Sequence, residues 1–246
     1  MSELYKTNIK KTVILQTDEL GNKLEEPKSY DYLIDVGILK GNTNKVIINY
    51  PGAGGTLEGY EDKYLKLAYL MQERIGSVVL MNNVRVPTSE YHNILRTNLE
   101  DVIDYCIANS VSLFGVSDPE IYLMGFSNGA GAVAAIAHKY TQISKILLLA
   151  PAFGAGVKEV SEGLSEFKNE VYIAIGKNDI NVGYKSGETF KGLAKSASLV
   201  ELVVIPDCDH QFRGETNGRI LSKVPLWAFV GDKTFPSPDG GLKLYD

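Results

Sequence analysis

IYLMGFSNGAGAVAAIAHKY, residues 121–140, decides how the chain is to be read. Its first six residues are almost continuously apolar, and its second half is rich in alanine. Between them a serine stands with a glycine two positions away on either side. A continuous apolar run marks a strand buried on both faces, and an alanine-rich run marks a helix. The backbone must therefore turn from strand to helix with Ser127 at the apex. A turn this sharp crowds positions 125 and 129, and glycine at both relieves the crowding. Ala130 and Gly131 let the helix pack tightly below. The arrangement lifts the Ser127 hydroxyl clear of the sheet and points a helix N-terminus at it, where negative charge is favoured. The competing reading is a glycine-rich turn with an incidental serine cap. With 24 glycines in 246 residues, the spacing alone is only moderately specific.

Five more apolar runs extend the pattern outward: KVIINY (45–50), SVVLMN (77–82), KILLLA (145–150), VYIAIG (171–176) and LVELVVI (199–205). Helical patterns separate them, at 60–76, 93–110, 128–140, 158–168, 186–197 and 216–229. In the first, Tyr64, Leu67, Ala68 and Met71 share one face, and Gly76 suits the C-terminal cap. In the second, Leu95, Leu99, Val102, Ile103 and Cys106 do the same. The last contains Pro225, which predicts a kink or two pieces. Residues 11–40 read as an antiparallel edge hairpin, TVILQTD and SYDYLIDVGIL, around a turn in ELGNKLEEPK. The tail KTFPSPDGGLKLYD reads as irregular.

The alternation predicts an α/β fold. Its sheet is doubly wound and mostly parallel, with about eight strands, flanking helices and an antiparallel N-terminal edge hairpin. One domain over 1–246, with no separate lid domain, is expected. In such sheets the loops at the carboxyl ends of the strands build the site.

The totals narrow the function. A net charge of −5, with 25 basic against 30 acidic residues, leaves no basic stripe. Nucleic acid and anionic membranes are therefore poor partners. No apolar run reaches the length of a membrane span. The N-terminus MSELYKTNIKK lacks a signal-like apolar core, so a cytoplasmic location is expected. Cys106 and Cys208 form neither a disulfide pattern nor a zinc pattern. The expected partner is a small-molecule acyl substrate, and a homo-oligomer is left open.

A serine needs a base, and the base needs a carboxylate to orient it. The chain has three histidines. His138 lies 11 residues along the helix from Ser127, roughly 16 Å away. His92 sits in the loop after 77–82, on the correct edge, and reads as solvated. His210, in PDCDHQF directly after LVELVVI, is the best base. Asp179, in GKND after VYIAIG, is the favoured acid, and Asp207 and Asp209 in the histidine's own loop compete with it. A developing oxyanion needs N–H donors. PGAGGT (51–56) supplies Ala53 or, second, Gly54, with Asn128 beside the serine. PGAGGT lacks the features of a phosphate-binding loop.

These four features in register resemble the α/β-hydrolase superfamily over nearly the whole chain: GFSNG as the elbow, Asp179 and His210 in the family's order, and PGAGG in the oxyanion position. The chain looks most like small carboxylesterase, thioesterase or dienelactone-hydrolase-like members, with serine where dienelactone hydrolases carry cysteine. Pro51-Gly52 stands where many esterases have His-Gly, so the donor, Ala53 or Gly54, stays open. The resemblance implies a catalytic triad of Ser127, Asp179 and His210, acyl transfer through a covalent intermediate, and no cofactor or metal. The stretch 152–169 has room for one short helix where others carry a lid. Loops 51–60, 83–92, 152–160 and 177–185 offer Tyr60, Arg85, Tyr91, Phe153 and Tyr184 as substrate contacts. Serine peptidases, acyltransferases and non-catalytic receptors share the constellation and remain alternatives.

Overall fold

The computed structural model describes residues 3–245. Eight strands form one sheet: β1 (Tyr5–Thr17), β2 (Lys23–Leu39), β3 (Lys45–Tyr50), β4 (Ser77–Met81), β5 (Glu120–Phe126), β6 (Ile143–Leu149), β7 (Glu170–Gly176) and β8 (Leu199–Ile205). Their spatial order is β1-β2-β4-β3-β5-β6-β7-β8. β1 pairs antiparallel with β2, and β2 antiparallel with β4. All remaining pairs are parallel. The helices are α1 (Lys63–Arg74), α2 (Tyr91–Ala108), α3 (Ser110–Phe114), α4 (Asn128–Ile136), α5 (Val157–Glu166), α6 (Lys185–Leu193) and α7 (Glu215–Val230).

Why the runs are continuous follows from the layers. Val46 and Ile48 of β3 belong to a core shared with α2, α4, α5 and α6, whereas Ile47 faces a second core under α1 and α7. β6 divides the same way, with Ile146 and Leu148 on one side and Leu147 and Leu149 on the other. Both faces of each strand are dry, so neither tolerates a polar alternation.

Several expectations need adjusting. The edge hairpin is longer than 11–40, and its turn falls at 18–22 rather than across ELGNKLEEPK. Its acidic, proline-containing stretch looks like a loop but lies within β2. Pro27 sits where the register shifts, opposite the segment between Leu15 and Thr17, so no ladder bond is lost there. The hairpin does not hang free. Tyr32 Oη donates a buried 2.7 Å hydrogen bond to Asn98 Oδ1 of α2, and Lys11 pairs with Asp101.

Helix 60–76 divides into a 3₁₀ turn at Tyr60–Asp62 and α1, because Glu61 and Asp62 have positive φ. α1 ends at Arg74, and Gly76 is not the left-handed cap. The pattern at 93–110 ends with α2 at Ala108 and is followed by the short α3. The predicted helix at 128–140 is α4 plus a 3₁₀ turn, Ala137–Lys139. α7 runs as one helix through Pro225. The tail has no regular element, yet Leu244 and Tyr245 are buried, and Tyr245 Oη donates to the Gln211 carbonyl at 2.9 Å. No helix among the described residues is long and apolar enough to cross a membrane.

Replacing Tyr32 with Phe strands the buried Asn98 oxygen without a donor. Urea unfolding of Tyr32→Phe is expected to show a loss of about 1–3 kcal/mol. An unchanged midpoint would mean the hairpin does not lean on α2.

Candidate active site

The strand-to-helix turn behaves as its composition requires. Ser127 adopts φ 54°, ψ −118° as the N-cap of α4. That left-handed backbone costs a non-glycine residue on the order of 1–3 kcal/mol. Three backbone bonds hold it in place: Ser127 N–H to the Leu149 carbonyl at 2.8 Å, Gly131 N–H to the Ser127 carbonyl at 3.1 Å, and Ala152 N–H to the same carbonyl at 3.2 Å. A Cβ at 125 would lie 2.5 Å from the Cα of Ala130, and one at 129 would collide with the Tyr50 and Pro51 carbonyls. The Ser127 side chain makes no capping bond to its own helix, which leaves its hydroxyl free to face outward.

β7 and β8 end beside it. His210 Nδ1 lies 2.7 Å from Asp179 Oδ2, and both side chains are buried. The other Asp179 oxygen accepts the N–H groups of Asn181 and Val182 at 2.9 and 3.1 Å. The carboxylate is thus fully engaged and its orientation fixed. Asp209 is spent on its own loop, accepting Gln211 and Arg213 N–H at 3.0 and 2.9 Å. Asp207 is exposed. Of the three acids, Asp179 is the one that touches the imidazole. Such a contact fixes the tautomer, with Nδ1–H donating and Nε2 left as the acceptor. The imidazole also packs against Phe126, ring centroids 5.2 Å apart.

Ser127 and His210 face one cleft of about 540 Å³, walled by Gly52–Thr56, Gly59, Tyr60, Lys63, Tyr64, Phe126, Asn181 and Gln211. They form no direct hydrogen bond in this state, as is common before substrate binds. The 52–56 loop closes through Gly55 N–H to the Gly52 carbonyl at 2.9 Å. As the first residue of α4, Asn128 has no acceptor four residues back within its helix. Among the described residues the Ala53 N–H makes no turn or loop bond. Gly54 has φ +67° and open space around its Cα.

The chain's fold matches a large set of solved structures. Est1E from Butyrivibrio proteoclasticus superposes with TM-score 0.60 at 16% identity, covering 78% of this chain and 90% of that one. Dienelactone hydrolase from Anabaena variabilis gives 0.60 at 15% identity, covering 90% and 99%. The Pyrococcus furiosus esterase Pf2001 gives 0.62 at 14%, covering 90% and 93%. This is the α/β-hydrolase fold. No family model matches the sequence, and no curated protein does.

Within this fold the remaining residues take definite places. Tyr60 lies on the cleft wall, largely exposed. Arg85 lines an adjoining groove of about 760 Å³ that shares Gly54, Gly55 and Thr56 with the cleft. Tyr91, Phe153 and Tyr184 are not among the residues lining the cleft. Tyr91 Oη hydrogen-bonds Asn83 Oδ1, Phe153 packs on Phe190, and Tyr184 stacks under Lys177. His92 is the second residue of α2, exposed, and His138 lies in the 3₁₀ turn beyond α4, 3.7 Å from Glu166. Burial pushes the thiols of Cys106 and Cys208 up to about 12, which keeps them protonated at neutral pH. No cluster of three or more metal-ligating side chains occurs among the described residues.

Two contributors escaped the sequence. Asn83 pins the 51–56 loop from below, donating Nδ2–H to the Pro51 carbonyl at 3.0 Å and its N–H to the Gly55 carbonyl at 2.8 Å. Lys63, which no sequence pattern singled out, lines the cleft. The Asn-Asn pair after β4 was a faint signal for the first, and nothing in the spacing pointed to the second.

The His210–Asp179 contact predicts a strongly downfield Nδ1 proton in the NMR spectrum. It is expected to vanish in Asp179→Asn and to persist in Asp209→Asn. Persistence in both would place the proton's partner elsewhere.

Proposed function

We propose that the protein is a serine hydrolase that cleaves a carboxylic ester or thioester of a small substrate through an acyl-enzyme on Ser127. The observation that carries this reading is the buried His210–Asp179 pair opening onto the same cleft as Ser127, which stands on a strained turn at the end of β5. Esterases are prominent among the structures of similar fold, and Est1E has been solved with ferulic acid bound.

In this mechanism the substrate carbonyl enters over Ser127. His210 Nε2 takes the hydroxyl proton as the oxygen attacks, and Asp179 stabilises the imidazolium that results. The carbonyl oxygen gains negative charge and moves toward the N–H groups of Ala53 and Asn128, at the positive end of α4. His210 then gives its proton to the departing alcohol or thiol. Water enters, His210 takes a proton from it, and the acyl group leaves as the acid. The segment 152–169 contributes no residue to the cleft wall; it packs α5 against α4 instead. The reading is therefore of a small acyl substrate in an open cleft, acted on in the cytoplasm by a chain folded as one domain.

A fluorophosphonate probe is expected to label Ser127, seen by peptide mass spectrometry. Ser127→Ala is expected to lower kcat for an activated short-chain ester by about 10⁴-fold or more, with Tm little changed, since alanine keeps the same backbone conformation. Full labelling resistance, with the fold intact, would favour a non-catalytic binding protein.

A further inference from the structure

Lys63 is an unusual wall for a hydrolytic cleft. It is 3% exposed, and no carboxylate of the described residues lies within ion-pair distance of its ammonium. Nζ donates one hydrogen bond, to Gln211 Oε1 at 3.1 Å. It stands 4.8 Å from the centre of the Phe126 ring and 5.0 Å from that of Tyr64. Two ring faces and one amide oxygen compensate part of the desolvation cost of a buried cation, but they carry no opposing charge. An ammonium has three donors, and Gln211 occupies one.

Its place in the fold makes the charge more costly still. Lys63 is the first residue of α1, where the helix dipole adds positive potential, and the first turn of α1 contains no acidic residue. Getting it there takes two consecutive residues of positive φ, Glu61 at 51° and Asp62 at 58°. The amide that receives its hydrogen bond is supported in turn, since the Gln211 carbonyl accepts Tyr245 Oη from the C-terminal tail. Among the described residues that line the cleft, Lys63 is the only basic side chain besides His210, and none is acidic. The Phe126 ring that carries the ammonium also carries the His210 imidazole.

We propose that Lys63 is the specificity-determining residue of the cleft, and that it recognises a carboxylate carried by the substrate, so that the protein acts on half-esters or half-thioesters of small dicarboxylic acids. One cation with unspent N–H donors matches a singly charged carboxylate. A phosphate dianion would bring more charge than the wall can balance, because Arg213, the next cation, is exposed and engaged with Asp209. The proposal rests on the hydrolase reading for the scissile bond, but not for the anion site.

Burial lowers the Lys63 ammonium to about 8, with Asp209 opposing that shift and Arg213 adding to it. The other titratable groups around it are His210 across Phe126, Tyr60, Tyr64 and Tyr245, and its chain neighbours Glu61 and Asp62. Lysine binds an anion only when protonated, so affinity is present below this value and falls as pH rises through it. A dicarboxylate half-ester, with an ordinary carboxyl value of about 4, stays ionised throughout.

The test is calorimetric and needs no turnover. Ser127→Ala protein is titrated with the monomethyl esters of succinic, glutaric and adipic acids and with the corresponding uncharged dimethyl esters. The best half-ester is expected to bind at least about tenfold more tightly than its diester, to weaken by a similar factor between pH 7 and pH 9, and to lose the preference in Ser127→Ala/Lys63→Met. The pH series on unaltered Lys63 stands by itself should the methionine variant fold poorly. Equal affinity for the charged and uncharged esters, or a preference indifferent to both pH and Lys63→Met, overturns the proposal. Kinetics keep the two readings apart. Turnover of neutral esters with no half-ester preference removes the anion site and leaves the hydrolase. Half-ester binding in a protein whose Ser127 resists fluorophosphonate removes the hydrolase and leaves the anion site.

Discussion

Everything at the site depends on the backbone of one residue being held where serine does not rest by choice. Ser127 sits at φ 54° because β5 must end and α4 begin without a connecting loop. Its N–H is tied to β6 and its carbonyl to both α4 and the segment after β6. Those bonds are available only because Gly125 and Gly129 allow backbone to meet backbone. The large sheet supplies the energy that keeps a conformation costing on the order of 1–3 kcal/mol populated.

The same economy of strain recurs around the rim. Non-glycine residues with positive φ are Glu61, Asp62, Ser127, Ala150, Asp207 and Phe212. Five of them lie beside cleft residues, before Lys63, at the elbow or flanking His210, while Ala150 is buried just after β6. Strained backbone can aim a side chain against the local preference, and three side chains at this rim stand on or beside such residues. The hydroxyl of Ser127 is lifted off the sheet, the imidazole of His210 is turned between Asp179 and Phe126, and the ammonium of Lys63 is drawn inward.

The sheet was legible because both its faces are dry. KVIINY (45–50) and KILLLA (145–150) read as buried strand, and their boundaries fell within two residues of the structure. The convergence of Ser127, Asp179 and His210 on one edge was legible because each lies within five residues of the end of such a run, and topology carries strand ends to one edge. What lay beyond the first turn of each loop was not. Lys63 drew no notice in the sequence, since its burial depends on a twist at 61–62 that no periodicity encodes. Tyr91, Phe153 and Tyr184 sit on loops of the correct edge, yet each side chain is drawn into packing or support by partners distant in sequence. The turn of the edge hairpin was misplaced for a related reason. Glu25, Glu26 and Pro27 have loop chemistry, but they lie in the exposed part of β2 that has only β1 beside it, where that chemistry is tolerated.

The central claim is that the strained serine, the buried histidine and the free amides converge on one reacting carbon. A crystal structure of the Ser127 phosphonate adduct measures that convergence directly. The account predicts the phosphonyl oxygen about 3 Å from the N–H groups of Ala53 and Asn128, with His210 Nε2 in hydrogen-bond contact with the Ser127 oxygen. A phosphonyl oxygen turned to solvent, with the imidazole still out of reach of Ser127, would contradict it.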